Sequence, residues 1–445
     1  MSDLLSIGSS GARAYQTALT TVSENIANAG NSSYVRRNAN IREIATSTGY
    51  SATLNGMGAT VDGIGRAGNP YTETAVRNAG ADLSRTTAST VWLERVESAL
   101  SGGNLSGQMT AFFAAGTALQ AEPTSTALRA GMLSAASSAA DSFAMTARSL
   151  DSAMTELDSR AVQATDDLSR LNQALLKVNQ GLVKTTAGTS AAAGLQDQRD
   201  SLLQQMSDLT DVSVTLDQFG RATVRAGSSS GPVLVDVREA VQVGYQRTGG
   251  NVALTTRRED GTVAVMTPEG GSLAGITEGA QRIASARDQL NDVAGDFTTA
   301  VNDLQRAGQD LNGATGTNMF TTTADPSNFS VRLTSGAQIA AAKAGGGQRD
   351  SSNLAALATL RQTDGFEGRI QGLVTDNAAT LKQRRLVGEA QTAIRDGAVT
   401  ARSEMTGVNL DSEAIDLVRF QQAYQAASRV IQVARDTFQS ILEIR

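Results

Sequence analysis

Leu417-Val418-Arg419-Phe420-Gln421-Gln422-Ala423-Tyr424-Gln425-Ala426-Ala427-Ser428-Arg429-Val430-Ile431 carries apolar side chains at alternating steps of three and four. Followed onward, the stripe is Leu417, Phe420, Tyr424, Ala427, Ile431, Ala434, Phe438 and Ile441. The opposite end repeats the spacing with Leu5, Gly8, Ala12, Tyr15, Leu19, Val22, Ile26 and Ala29. Such steps draw one seam down the side of a helix. An isolated helix takes most of its stability from a packed partner, so neither seam is expected to face water alone. The simplest arrangement pairs the two termini as a coiled-coil rod, with Ala and Gly allowing close approach and the remaining chain inserted between. An ordinary core face would show the same spacing. The place of the seams at the two ends, the unbroken C-terminal run, and the uncharged Gln421, Gln422, Gln425, Gln432 and Gln439 around it favour the rod.

The 445 residues suffice for roughly two to four domains. Aromatic residues make up only 4%, so small cores and much helix are expected. There is no Cys and no His. That removes disulfides, thiolate nucleophiles, and the commonest general base and metal ligand. No carboxylate cluster has calcium-loop spacing, so no catalytic, cofactor-binding or metal residue is nominated. The net charge of −6 is spread without long runs, which argues against nucleic acid as a partner. No apolar stretch is long enough to cross a bilayer, so no membrane partner is expected. The first residues lack the basic region and cleavage site of a signal peptide. The protein is expected either to stay in the cytosol or to leave by a route without a cleaved signal.

Along the chain, residues 39–70 are rich in Gly and Thr and read as short extended segments. Residues 71–210 are mostly helical, with breaks at Gly102-Gly103 and Pro123. Short β-branched runs between turns then follow at 212–214, 222–225, 233–235, 241–243, 252–254 and 262–265, a small antiparallel β domain. Helix is expected again from about residue 278. One further strand is expected at Phe329–Leu333, and Asp411 is expected to cap the last helix. The predicted fold is mainly α with an inserted β domain, a multidomain α+β protein. Its terminal assembly domain is 1–38 with 408–445, its mainly helical domain 39–211 with 276–407, and its β domain 212–275.

Two enzyme-like motifs are set aside. Gly227-Ser228-Ser229-Ser230-Gly231 matches a nucleophile elbow, but that site needs a strand-to-helix turn and a base, usually His. Gly63-Ile64-Gly65-Arg66-Ala67-Gly68 matches a dinucleotide fingerprint, but Asn69-Pro70 intervenes and no βαβ unit surrounds it. Both read as turns.

The N-terminal Ile7–Gly11 and Ser23-Glu24-Asn25-Ile26-Ala27-Asn28, then a polar turn at 31–33 and Tyr34-Val35-Arg36, resemble the start of the flagellar rod–hook axial protein family. Gly407-Val408-Asn409-Leu410-Asp411 through Phe420–Arg429 resembles that family's C-terminal segment. Three internal segments resemble its hook–filament junction members: Gly56 to Arg66, Phe112-Phe113 through Arg129 and Leu133, and Gly194 through Asp197-Gln198-Arg199-Asp200 into Val214.

The resemblance implies a structural component of the bacterial flagellum, exported unfolded through the type III channel and assembled at the hook tip through its terminal helices. Implied partners are further copies of itself in a ring, hook protein below, a second junction protein or flagellin above, and an export chaperone at the C-terminal helix. The implied location is the extracellular flagellum. The alternatives are a hook, distal-rod or filament-type axial subunit and, more remotely, a secreted effector or enzyme with a helical export region.

Overall fold

In chain order the described residues form helix α1 (Ser2–Ala27), strands β1 (Arg37–Glu43) and β2 (Ala59–Arg66), and helices α2 (Pro70–Gly102), α3 (Leu105–Ala121), α4 (Thr126–Lys184) and α5 (Ser190–Leu209). Strands β3 (Val212–Leu216), β4 (Ala222–Ala226), β5 (Val233–Val235), β6 (Gln242–Thr248), β7 (Asn251–Arg257) and β8 (Val263–Met266) follow. Then come helix α6 (Gly271–Ala307), short strands β9 (Gly308–Gln309) and β10 (Ala342–Lys343), and helices α7 (Ser352–Asp364), α8 (Phe366–Thr406) and α9 (Leu410–Glu443). The computed structural model describes residues 2–31, 33–44, 58–322 and 325–443. Ser32 of the expected turn, residues 45–57 of the expected extended segments, and the side chain of Ile441 lie outside what is described. The architecture is mainly α with small antiparallel sheets, as predicted.

The terminal helices α1 and α9 pair antiparallel. Asn25 lies beside Glu413, Tyr15 beside Phe420 with ring centroids 6.4 Å apart, Gly11 beside Ala427, and Gly8 beside Ile431. A Cβ on Gly8 would stand 2.8 Å from Ile431 Cγ1, so the missing side chain sets how closely the helices approach. The buried arc of α1 is shifted from the predicted stripe. Gly8, Gly11, Ala14, Ala18, Thr21, Val22 and Asn25 are buried, Ala12, Tyr15, Leu19 and Ala29 are half-buried, and Leu5 and Ile26 are exposed. The cause is a second neighbour: the β1–β2 hairpin packs on α1 beside α9, so the small residues between the two become the innermost. On α9, Ala434 is buried, Leu417, Phe420, Ala427 and Ile431 are half-buried, and Tyr424 and Phe438 are exposed.

The body is built on α2, α4, α6 and α8. Asn69 caps α2, its side chain accepting from Tyr71 N at 2.9 Å with Pro70 in the first turn. α4, with 59 residues, is about 88 Å long. The expectation of small cores is corrected. Phe112, Phe113, Phe143, Phe297, Phe320, Phe329 and Phe366 converge in one group, and the buried cluster continues from there into the β sheets. Few rings suffice because they are gathered in one place.

Two element expectations are also corrected. α6 starts at Gly271, not near residue 278. Its early glycines are contact points: a Cβ on Gly275 would lie 2.4 Å from Arg85 O, and one on Gly279 2.3 Å from Trp92 Cδ1. They let α6 lie flush on α2. Residues 329–333 form no strand. Phe329 and Leu333 point inward as alternation implies, but only an isolated bridge joins Val331 to Phe320. Asn302 claims the Phe320 backbone, donating to its carbonyl at 3.2 Å and accepting from its N–H at 2.9 Å.

Strands β3–β4–β5 and β6–β7–β8 make two antiparallel sheets. Polar side chains of α4 hold both. Asn179 exchanges two hydrogen bonds with the Ala222 backbone, Asn172 donates to Val241 O at 3.0 Å, and Asp158 takes Tyr245 Oη at 2.6 Å and Arg247. Gly227–Gly231 is the β4–β5 loop, and Gly63–Arg66 lies in β2. The Gly63–Gly68 run does lead into α2, but β2 pairs antiparallel with β1 and belongs to no βαβ unit, and Gly227–Gly231 joins two strands, so neither has the geometry of the enzyme site it imitates.

Candidate functional site

Where α1 ends, the chain turns through Tyr34 into β1, directly beside the start of α9. Four segments close on two side chains there. Asn25 Nδ2 donates to Glu413 Oε2 at 2.9 Å and to Arg37 O at 2.9 Å, while Asn25 Oδ1 accepts from Arg37 N at 3.0 Å and Tyr34 Oη at 2.8 Å. Arg36 Nε donates to Glu413 Oε1 at 2.6 Å and its Nη2 reaches Asp416 at 3.5 Å. The Arg36 backbone takes part too, its N–H donating to Thr406 O at the end of α8 and its carbonyl accepting from Ala67 N. Glu413 is 0% exposed. A buried carboxylate is tolerated only when paired and hydrogen-bonded, and here both oxygens are used.

The network continues into the body. Arg37 pairs with Glu24 and Asp197, each at 3.1 Å, and its guanidinium lies 4.7 Å over the Tyr34 ring. Arg66, opposite Arg37 in the hairpin, pairs with Asp197 at 2.7 Å and Asp200 at 2.8 Å. Arg199 holds Asp200 at 2.6 Å and donates to Gly220 O at 2.5 Å, which reaches the first β sheet. Burial pushes the Asp197 carboxyl above its usual range against the pull of Arg66 and Arg37. Burial likewise pushes the Tyr34 hydroxyl up to about 12, so it stays a donor. The hairpin is seated on the body at a second point, where Ile64 N donates to Gly188 O at 2.7 Å and Gly63 meets Gly188 backbone to backbone. Among the described residues no group of three carboxylates is placed to hold a metal ion.

The structure gathers Asn25, Tyr34, Arg36, Asp197, Arg199 and Asp200 from the family-signature set into this clasp. Asn28 closes α1 by donating to Glu24 O at 2.8 Å. Gln198 points to solvent and Leu410 is exposed. Asp411 is not the cap of α9. Asn409 is: its Oδ1 accepts from Asp411 N at 3.0 Å and Ser412 N at 3.1 Å, because Asn409 sits one residue before the helix begins. The residues that sequence reasoning missed are Glu413, Glu24, Arg37 and Arg66. Their only signal was the charge pair Arg36-Arg37. Glu413 reads as a first-turn acid facing the helix dipole, and nothing local marks it as buried.

The profile of the flagellar hook-associated protein FlgK helical domain matches residues 93–320, more than half of the chain. The C-terminal profile of the flagellar basal body rod FlgEFG proteins matches residues 399–444. Flagellar hook-associated protein 1 of Escherichia coli (strain K12) is 24% identical, with 100% of each chain covered. Its counterpart in Bacillus subtilis (strain 168) is 22% identical over 96% of this chain and 95% of that one. Among solved structures, the flagellar hook junction protein FlgK from Burkholderia pseudomallei superposes with a TM-score of 0.66 at 13% identity, covering 74% of this chain and 99% of that chain, which supports the fold. The chain belongs to the flagellar hook-associated protein FlgK family, a family of structural flagellar proteins and not of enzymes.

Proposed function

We propose that this protein is an adaptor between hook and filament, exported unfolded and assembled at the hook tip in the extracellular flagellum. The terminal rod, 1–38 with 408–445, is its assembly element; the helical part, 39–211 with 276–407, carries the β part, 212–275, which points outward and is dispensable for joining. Its neighbours are further copies of itself in a ring, hook protein on one side, and a second junction protein or flagellin on the other. Before export, α9 is the docking segment for a chaperone.

The observation that carries this reading is apolar surface on a rod that is already paired. Leu4 and Leu5 on α1, and Ile415, Val418, Val433 and Phe438 on α9, remain exposed although the two helices pack together. Large apolar side chains left exposed along a helix pair suit cover by a further subunit. Phe438 continues the α9 seam beyond the start of α1 and is 57% exposed, so another subunit is its natural cover.

The test is Phe438→Ala in the bacterium, with Gln439→Ala as control and secreted protein measured beside motility. Phe438→Ala should leave the purified chain as stable as before yet shed filaments, with flagellin in the medium. Normal filaments on cells exporting normal amounts of the variant would refute the assembly role of α9. Loss of export alone would point to the chaperone contact.

A further inference from the structure

Beneath the clasp, the start of α2 faces α5 and β3 across a cavity of ≈ 190 Å³. Its wall holds three guanidinium groups, Arg66, Arg77 and Arg199, against two carboxylates, Glu73 and Asp200. Asp200 is fully engaged by Arg66 and Arg199. Glu73 faces Arg402 at 3.6 Å. Arg77 is left over. It is 9% exposed, its one hydrogen bond goes from Nη2 to the Thr74 hydroxyl at 2.9 Å, and among the described residues it makes no ion pair. Asp200 and Glu73 attract it from beyond ion-pair distance, yet burial outweighs them and lowers the proton affinity of Arg77, so the pocket holds more positive charge than its own carboxylates neutralise at contact. The N-terminal end of α2, with Asn69 and Pro70 in the same wall, adds its positive pole.

We propose that this cavity binds a small oxyanion, an inorganic phosphate or a carboxylate group, with Arg77 as its principal ligand. The anion would complete the charge balance and tie α2 to α5 next to the clasp. A free ion and the acidic side chain of a neighbouring molecule offer the same chemistry.

The test is calorimetric titration of the full-length purified chain with sodium phosphate and, separately, sodium acetate, at constant ionic strength in chloride. Saturable binding is expected. Stronger binding of phosphate identifies a free inorganic ion as the occupant, and stronger binding of acetate identifies a carboxylate side chain. Arg77→Gln should weaken binding about tenfold or more, and Arg77→Lys should retain part of it. Because Arg77 is buried, a second variant acts from outside: Leu216→Trp, at an exposed residue of the cavity wall, should obstruct the site without touching the core. No binding of either ion overturns the proposal. So does equal affinity in folded Arg77→Gln or Leu216→Trp protein.

Discussion

Asn25 of the first helix and Glu413 of the last, 388 positions apart, share a hydrogen bond of 2.9 Å that is closed to water. The same Asn25 reads the Arg37 backbone in both directions, and the same Glu413 takes the Arg36 guanidinium. A polar network therefore joins the rod to the body at this end, beside the second seat of the hairpin on Gly188. Such a joint is directional, because each partner must keep its angle as well as its distance.

Glu413→Ala should uncouple the rod. It strands Asn25 Nδ2 and Arg36 Nε, and breaking a buried pair costs about 3–5 kcal/mol. Arg36 is 26% exposed at its side chain, so the low end, about 3 kcal/mol, is expected. Protease should cut α1 and α9 early, while the melting of Trp92, the single tryptophan and a core residue of α2, stays within about 0.5 kcal/mol. Glu413→Gln keeps an acceptor and should cost less. Loss of Trp92 structure in step with the rod would show that the two parts are one cooperative unit.

Alkaline titration should find Tyr34 among the late-ionising tyrosines, beside Tyr245, whose hydroxyl is also pushed up by burial and by Asp158. The folded value of Tyr34 is raised from 10.0 to about 12, chiefly by burial. For a raised value the unfolded chain sheds its proton first. The contribution to stability is then fully present below pH 10 and lost as the pH climbs to about 12. Tyr34→Phe should remove one late-ionising tyrosine from the ultraviolet titration and flatten the stability loss in that window. An unchanged count of late tyrosines would rule out this assignment.

The α2–α6 contact makes opposite predictions for two glycines of one helix. Gly279→Ala puts a Cβ 2.3 Å from Trp92 Cδ1 and should cost about 1–3 kcal/mol with altered tryptophan emission. Gly295→Ala meets nothing within 4 Å and should stabilise by about 0.5–1 kcal/mol. Chemical denaturation followed at Trp92 measures both, and stabilisation by Gly279→Ala would contradict the close approach.

Acid should loosen the second β sheet from α4. Hydrogen bonds from Arg247, then Tyr245, hold the Asp158 carboxyl below its usual 3.8. A lowered value contributes stability above the ordinary carboxylate range, and that stability is lost as pH falls through the folded value. The protection of β6 and β7 amides against hydrogen exchange, relative to the unfolded chain at the same pH, should therefore fall below pH 3.8 in the natural chain. Asp158→Asn should show the looser state at neutral pH with a weaker acid dependence. The same acid response in both proteins would place the cause elsewhere.

Local chemistry alone determined much of this protein. The periodicity of α9, the helical character of residues 71–210 with its breaks at Gly102-Gly103 and Pro123, and the β-branched runs that became β3 to β8 depend on neighbours within a few residues, and were readable in sequence. The terminal seams were readable as seams because a step of three or four is a property of one helix. The tertiary structure decided the rest. The buried arc of α1 falls on Ala14 and Ala18, not on Leu5 and Ile26, because two elements share that helix and the narrow residues lie between them. Gly275 lies inside α6 and not in a loop, and with Gly279 it is a helix contact, because Arg85 and Trp92, nearly two hundred positions away, fill the space a side chain would need. Glu413 looks like any first-turn acid until folding brings Asn25 and Arg36 to it. A buried charge is defined by its partners, and those partners are set by which segments the fold brings together, a long-range property that no local pattern encodes.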